Sequence, residues 1–139
     1  MKINLQTNLC GFPLINPFIL ASAPPTASFE LICNAFEKGW GGAVTKTIGE
    51  KDVFNSNVSP RMSVLQNGSN IIALENIEMI SDKPEEYWTD SIQEIKKRYP
   101  KQMLIASIMG AEGLNSWQSV ALKVQKAGAD AVELNFSCP

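Results

Sequence analysis

A helix that ends at a glycine and leads into a short apolar strand occurs twice in this chain. The letters Phe-Glu-Lys-Gly precede residues 42–45, and Gln-Lys-Ala-Gly precede residues 131–134. Residues 18–21 and 103–108 have the same composition of a buried strand. Strands that alternate with helices through short connections form a parallel sheet with right-handed crossovers. The repetition therefore predicts an α/β fold of about four βα units.

The chain length sets how much of such a fold is present. A (β/α)8 TIM barrel takes about 250 residues, and this chain has 139. We expect residues 1–139 to form a partial domain, the N-terminal half of a barrel, with the second half absent from this chain. Short apolar pieces in residues 2–20 predict a β-hairpin ahead of the first barrel strand. Residues 48–75 show no sustained hydrophobic period and predict a long loop, which is more often functional than idle.

Three amphipathic helices are predicted between the strands. The first helix is predicted to start after Ser28 and to end at Gly39, and the second to start at Asp82 and to end before Pro100. The third is predicted to start at a capping box over residues 115–118 and to end at Gly128. Cys33 falls on the apolar stripe of the first helix. We interpret it as a core thiol rather than a reactive one.

Composition excludes several classes of function. A formal charge of −2 gives no reason to expect nucleic acid or an anionic membrane as a partner. No run approaches the ~20 apolar residues of a membrane-spanning helix, and residues 1–8 are polar and lack the apolar run of a signal peptide. Three widely spaced cysteines predict a reducing compartment, here the cytoplasm. Without a Cys-x-x-Cys pair, no metal site of the usual kind is predicted in this chain.

The chain contains no histidine. Ser-His-Asp and Cys-His triads are therefore excluded within it. Any proton transfer must use Cys, Lys, Tyr, Asp or Glu.

Polar residues follow the predicted strands where each strand ends. They are Ser22, Lys46-Thr47, Met109-Gly110 and the run from Asn135 to Cys138. Strand ends are polar in any case because they meet water, and for Ser22 and Thr47 taken singly this simpler interpretation is favoured. A lysine at the end of a buried strand, however, requires an anionic or hydrogen-bonding partner. Lys46 on one rim with Asn135 and Cys138 predicts a reactive site.

Four ordered motifs carry a resemblance to a known family. They are Asn-Pro-Phe-Ile-Leu-Ala-Ser-Ala (16–23), Gly-Trp-Gly-Gly-Ala-Val-Thr-Lys-Thr (39–47), Asn-Val-Ser-Pro-Arg (57–61) and Asn-Phe-Ser-Cys-Pro (135–139). Together they resemble the flavin-dependent dihydropyrimidine and dihydroorotate dehydrogenase group. Ala-Leu-Glu-Asn-Ile-Glu-Met-Ile-Ser (73–81) resembles the dihydropyrimidine dehydrogenase branch.

The resemblance implies a role for each matching residue. The residues implied to hold FMN are Ser22, Ala23, Lys46 and Thr47. Asn76, Asn135 and Ser137 are implied to hydrogen-bond the pyrimidine substrate, and Cys138 to donate and accept the proton. Asn76 has an alternative role, because it could simply cap the turn before Ile77.

The activity implied is the FMN-dependent reduction of the 5,6 double bond of uracil or thymine, or the reverse oxidation. Electrons would come from NAD(P)H through FAD and iron–sulfur clusters in other domains or a partner subunit. Dihydroorotate oxidation and a non-catalytic truncated fragment stay open as alternatives, as does a homo-oligomer.

Overall fold

Nine strands and three α-helices follow one another along the residues that the computed structural model describes, 3–50 and 61–137. The strands are β1 (Thr7–Leu9), β2 (Phe12–Leu14), β3 (Ile19–Leu20), β4 (Gly42–Val44), β5 (Ile48–Gly49), β6 (Met62–Asn67), β7 (Asn70–Asn76), β8 (Met103–Met109) and β9 (Ala131–Leu134). The helices are α1 (Phe29–Glu37), α2 (Glu85–Arg98) and α3 (Leu114–Ala127).

A parallel sheet forms the centre of the fold. Its strands pair in the order β3-β4-β8-β9, and β5 also pairs with β8. The predicted α/β class is confirmed, and so is the hairpin that precedes it, which β1 and β2 form as an antiparallel pair. Parallel strands joined by helices are what part of a β/α barrel supplies. The described residues alone do not close a barrel.

The helices cover one face of this sheet. Alternate residues of β8, Leu104, Ala106 and Ile108, are fully buried in one apolar cluster with residues of all three helices. The helix residues of this cluster are Ile32, Cys33, Phe36, Trp88, Ile92, Ile95, Val120, Val124 and Ala127. Because side chains alternate along a strand, Ser107 lies on the opposite face of β8, away from the helices. In a barrel that face is the interior.

Three sequence signals of the helices are confirmed. The Ser28 hydroxyl accepts a hydrogen bond from Leu31 N at 3.4 Å and caps α1. Cys33 is 6% exposed in the core, and burial raises the pKa of its thiol, so it is the inert core thiol that its place on the stripe indicates. Gly128 ends α3 with a φ of 101°, a left-handed conformation that a side chain disfavours.

Two predicted N-caps are wrong. Asp82 does not cap α2, because the helix starts at Glu85 with Pro84 in the capping position. A proline disfavours helical geometry in the residue before it, so a helix that began at Asp82 would have to pass through Lys83 in that geometry. Asn115 is inside α3, which begins one residue earlier at Leu114.

The predicted loop over residues 48–75 is also wrong in most of its described part. β5 pairs with β8, and β6 with β7 forms an antiparallel hairpin that turns at Gly68, where φ is 60°. The side chains of both strands are exposed. The sequence therefore lacks the alternation of apolar and polar residues that marks a half-buried strand. An Asn-Gly pair between two apolar runs was the signal that could have found it. Residues 51–60 lie outside the described part.

Two strands predicted as buried are less buried than expected. β3 is only half-buried, and most of β9 is exposed. Both are edge strands within the described residues, because β3 pairs only with β4 and β9 only with β8. An edge strand lacks a neighbour on one side and keeps part of its surface accessible.

None of the helices in the described ranges combines the length and the apolar character that crossing a membrane requires.

Candidate functional site at the carboxyl ends of the strands

An extra residue between β4 and β5 shapes the centre of the candidate site. Val44 pairs with Ile105 and Ile48 with Ile108, so the β4–β5 side advances four positions while β8 advances three. β9 occupies the other edge of β8, so β4 and β5 lie in line along one edge. Such a bulge bends the strand and redirects the side chains within it. The residues redirected here are Lys46 and Thr47.

The Thr47 hydroxyl is the point where three other polar side chains meet. Asn135 Nδ2 donates to Thr47 Oγ1 at 2.8 Å. The hydroxyl oxygen of Ser107 lies 3.0 Å from Thr47 Oγ1, and that of Ser22 lies 3.4 Å from it. Thr47 is 2% exposed. Side chains that follow β3, β4 and β9, and one within β8, are thus joined at one buried oxygen.

The Asn135 carboxamide is held at both ends. Its nitrogen donates to Thr47, while its Oδ1 accepts from both the backbone N and the hydroxyl of Ser137, each at 3.0 Å. Donor and acceptor positions of an amide are fixed only when the surrounding network specifies them. The orientation of this carboxamide is therefore set by the protein before any ligand arrives.

Lys46 is buried and paired with a carboxylate that the sequence did not single out. Its side chain is 8% exposed, and its Nζ donates to Glu78 Oε1. Asn76 Nδ2 donates to the other oxygen, Glu78 Oε2, at 3.3 Å. The hydrogen bond from Lys46 lowers the pKa of the Glu78 carboxyl below its ordinary value. One carboxylate therefore links the buried ammonium to the amide at the end of the β6–β7 hairpin, and the partner that Lys46 required is Glu78.

The loop after β3 is fixed to the same rim through Thr26. The Thr26 hydroxyl donates to the carbonyls of Ala21 and Ala23 at 3.2 and 3.1 Å and accepts from Ala23 N at 3.3 Å. Lys46 N donates to Thr26 O at 3.0 Å. The predicted residues Ser22 and Ala23 are thereby held beside Lys46, although the N–H of Ala23 is directed into its own loop.

The structure brings most of the predicted site residues to one rim. Ser22, Thr47, Asn135 and Ser137 form one hydrogen-bonded group, with Ala23 and Lys46 beside it. Asn76 is linked to Lys46 through Glu78. Cys138, the predicted proton donor, lies outside the described residues. The role of each residue stays a prediction.

Two residues of this rim were missed by the sequence interpretation. Glu78 lies in the segment that carries the resemblance, and the requirement of Lys46 for an anion was the signal that could have pointed to it. Ser107 lies one residue before Ile108 in an otherwise apolar strand, and a lone hydroxyl at an interior position was its signal.

A separate cavity of about 740 Å³ opens at the other end of the sheet. Its lining includes Met103, the first residue of β8, and Asp130, the residue before β9. Asp130 Oδ2 accepts from Lys96 Nζ at 2.6 Å and from Leu104 N at 2.8 Å. The carboxylate of Asp130 therefore stabilises the fold. None of the predicted site residues lines this cavity. Among the described residues, no group of side chains is arranged to hold a metal ion.

Parallel strands flanked by helices, with a polar cluster at their carboxyl ends, define a protein of the β/α-barrel class. The chain belongs to the dihydroorotate dehydrogenase family, which it matches over residues 4–139. This membership confirms the resemblance that the four motifs carry.

Individual relatives point to one branch of that family. The chain is 41% identical over 138 residues to the NAD-dependent dihydropyrimidine dehydrogenase subunit PreA of Escherichia coli K12, covering 98% of this chain and 33% of the relative. It is 37% identical over 142 residues to the chloroplastic NADP(+) dihydropyrimidine dehydrogenase of Arabidopsis thaliana, with the same coverage of 98% and 33%. The catalytic subunit of dihydroorotate dehydrogenase B from Thermoplasma volcanium is 29% identical, with 98% of this chain and 42% of the relative covered. The chain thus spans about a third of the dihydropyrimidine dehydrogenases that it matches.

Proposed function

We propose that this chain is part of an FMN-dependent enzyme that reduces the 5,6 double bond of uracil or thymine, or catalyses the reverse oxidation. The observation that carries the proposal is the hydrogen bond between Thr47 and Asn135 at one rim of the parallel sheet, next to the buried pair of Lys46 and Glu78. The higher identity to two dihydropyrimidine dehydrogenases than to a dihydroorotate dehydrogenase supports this choice of substrate.

The chemistry of the rim fits a flavin. An isoalloxazine ring presents carbonyl oxygens and ring nitrogens along one edge, which hydroxyls and an ammonium can match. Ser22 supplies a hydroxyl, Lys46 the ammonium, and Ala23 the backbone of the loop, while Thr47 holds the Ser22 hydroxyl in place through its own buried hydroxyl. Lys46 would also stabilise negative charge on the reduced ring, since neighbouring protein charges tune a bound cofactor.

The two carboxamides suit a pyrimidine. Its ring carries amide-like N–H and C=O groups, and each asparagine offers both a donor and an acceptor. Thr47 and Ser137 orient Asn135 before substrate binds, and a pyrimidine N–H would take the place of one of the two bonds from Ser137 to Oδ1. An oriented carboxamide favours binding because less freedom is lost. Asn76 lies at the end of β7, bonded to Glu78, and would approach the ring from the hairpin side.

Cys138 supplies the proton in this proposal. FMN, when bound, supplies a hydride to one carbon of the double bond, and an acid must then protonate the neighbouring carbon. A thiol with an ordinary pKa of about 8.5 is mostly protonated at neutral pH and can serve as that acid. After the transfer the thiolate regains its proton from solvent. In the oxidative direction the thiolate removes the proton instead.

Electrons must reach the flavin from outside this segment. The E. coli relative is named as a subunit of an NAD-dependent enzyme. We therefore extend the proposal to a partner subunit or further domains that carry electrons from NAD(P)H through FAD and iron–sulfur clusters. A cytoplasmic location belongs to the same proposal, because the three cysteines suit a reducing compartment.

Dihydroorotate oxidation is the second candidate. The observation that favours it is the family match itself, together with the dihydroorotate dehydrogenase B relative from Thermoplasma volcanium. Both candidates use the same rim and differ in the substrate that it accepts.

An assay of the full-length protein with its electron-delivering partner separates the candidates. Uracil, thymine and dihydroorotate are supplied in turn, and the change in nicotinamide absorbance is followed. We expect turnover with uracil or thymine. Turnover with dihydroorotate alone would transfer the proposal to the second candidate, and turnover with none would overturn both.

A further inference from the structure

Ser107 forms hydrogen bonds to two residues of the bulge between β4 and β5. It is completely buried, on the face of β8 that points away from the helices. Its backbone N–H donates to Thr45 Oγ1 at 3.1 Å. Its own hydroxyl lies 3.0 Å from Thr47 Oγ1. One serine thus contacts both threonines that flank Lys46.

These contacts replace part of the regular ladder. Where the β4–β5 side gains a residue, the spacing of the two chains no longer matches and the backbone bonds between them are interrupted. Thr45 N still donates to Ile105 O at 2.9 Å, and Thr45 Oγ1 receives the next N–H of β8 that points toward this edge. The Ser107 hydroxyl then fixes Thr47, the residue on the other side of Lys46.

The hydroxyl of Ser107 is fully buried and therefore needs a hydrogen-bond partner within the protein. A hydroxyl without a partner in a site closed to water costs free energy, so Ser107 and Thr47 are held together by their mutual bond. Asn135 Nδ2 donates to the same Thr47 oxygen. Any rotation of the Thr47 side chain therefore also removes the acceptor that orients Asn135.

We propose that Ser107 is a positioning residue of this site, a role that rests on the function proposed above. Acting through Thr47, it positions the Ser22 hydroxyl offered to the flavin and the Asn135 carboxamide offered to the pyrimidine. It touches neither ligand itself in this proposal.

A double-mutant cycle in the full-length protein tests the inference. Ser107→Ala, Thr47→Val and the double variant are compared by the dissociation constant of FMN, measured by quenching of flavin fluorescence. We expect Ser107→Ala to weaken FMN binding about fivefold and to raise the KM for uracil by a similar factor, as the loss of one hydrogen bond would. The double variant should bind FMN within about twofold of Thr47→Val alone, because both changes remove the same contact.

Ser91→Ala is the matched control, since Ser91 is also buried but lies in α2, among the core residues on the helix side of the sheet. FMN binding that changes equally in Ser91→Ala and Ser107→Ala, or that falls additively in the double variant, would overturn the positioning role while the proposed function stands.

A wild-type protein that binds no FMN and reduces no pyrimidine would instead overturn the proposed function. The positioning role is then decided from a crystal structure of the Ser107→Ala variant. Thr47 turned away from Asn135 supports it, and a retained bond between the two contradicts it.

Discussion

Lys46 illustrates what a single residue requires of its surroundings. An ammonium that is nearly excluded from water is unfavourable unless it is paired, and Glu78 provides the pair. Replacing Glu78 by glutamine keeps the shape and leaves the charge of Lys46 uncompensated. We expect the free energy of unfolding of the full-length protein to fall by about 1–2 kcal/mol. That is less than the ~3–5 kcal/mol for a fully buried pair, because the Glu78 side chain is 35% exposed and water screens it.

Glu94→Gln is the control for this change. Glu94 pairs with Arg98 at 2.6 Å, but both side chains are well exposed, so the loss of this pair should lower the free energy of unfolding less than the loss of Glu78 does. The midpoints of urea unfolding of the two variants give the comparison. Equal losses of stability in the two variants would show that the burial of Lys46 does not increase the contribution of its ion pair to stability.

The same pair predicts a dependence of stability on pH. The hydrogen bond from Lys46 lowers the pKa of Glu78 from its ordinary value of 4.5. A carboxyl whose folded pKa is lowered stabilises the folded state above its unfolded pKa, and the contribution is lost as the pH falls through the folded pKa. The difference in melting temperature between wild type and Glu78→Gln should thus be constant near neutral pH and shrink below the ordinary value. A difference that stays constant or grows down to about pH 3 would contradict the assignment.

Cys138 carries the proposed proton transfer. In the full-length protein, Cys138→Ala should retain FMN, because the cofactor contacts assigned above do not include the thiol. Turnover should fall by about 10²-fold or more, the usual contribution of general acid catalysis. Flavin absorbance and steady-state kinetics measure the two effects separately. Unchanged turnover would remove Cys138 from the mechanism, and Cys33→Ala, a change in the core, is a control for loss of a thiol.

The sequence predicted the individual residues of the rim better than their partners. Asn135 and Lys46 could be placed because each follows a strand with a clear apolar signal, and strand ends meet at one edge. The requirement of Lys46 for an anion indicated that a partner exists, but it did not single out Glu78, because the contact spans 32 positions and depends on where the hairpin returns. Neither the bulge nor the role of Ser107 could be read from the sequence, because both come from the register between two strands.

At the scale of elements, the segment that follows the β6–β7 hairpin determines where Glu78 stands. Met79 and Ile80 are buried, and Ser81 N donates to Thr47 O at 2.8 Å. Ser81 Oγ accepts the indole N–H of Trp88, which is completely buried in α2, at 2.8 Å. Helix α2 thus anchors the segment that pairs with Lys46.

Trp88→Phe tests this anchor. The change removes the N–H and leaves a small void in the core, and we expect unfolding to become easier by about 1–3 kcal/mol. Trp40→Phe is the control, because Trp40 is only partly buried at the margin of the same core and should cost less than about 1 kcal/mol. Thermal unfolding of the full-length variants measures both. The anchor is refuted if Trp88→Phe is as mild as Trp40→Phe.

The elements also show where local signals are sufficient. β9 occupies the residues that its apolar run predicts, and α1 starts after the serine expected to cap it. The hairpin was missed because its apolar residues lie on both faces and are exposed, so burial on one side does not impose the usual alternation. The start of α2 differs from the prediction because Pro84 disfavours helical geometry in the residue before it. The start of α3 differs because Gly113, with a φ of 92°, occupies the capping position.

At the scale of the whole molecule, apolar surface remains uncovered within the described residues. Val132 and Leu134 pair with Ala106 and Ile108, so they lie on the helix side of the sheet, yet both are exposed. The second edge of β9 has no strand beside it among those residues. Surfaces of this kind associate with other strands unless charge or a covering element prevents it.

The polypeptide of residues 1–139, expressed alone, is therefore expected to self-associate and to be colourless. Leu134→Lys should reduce the association, because a charge on an edge strand opposes pairing with a second copy. Leu122→Lys is the matched control, since Leu122 is also an exposed leucine but lies on the surface of α3. Light scattering during size-exclusion chromatography, over a range of concentrations, gives the mass. A monomer at every concentration would contradict the prediction, as would an equal effect of the two lysines. Flavin absorbance in the sample would show that this half of the fold binds the cofactor unaided and would argue against a non-catalytic fragment.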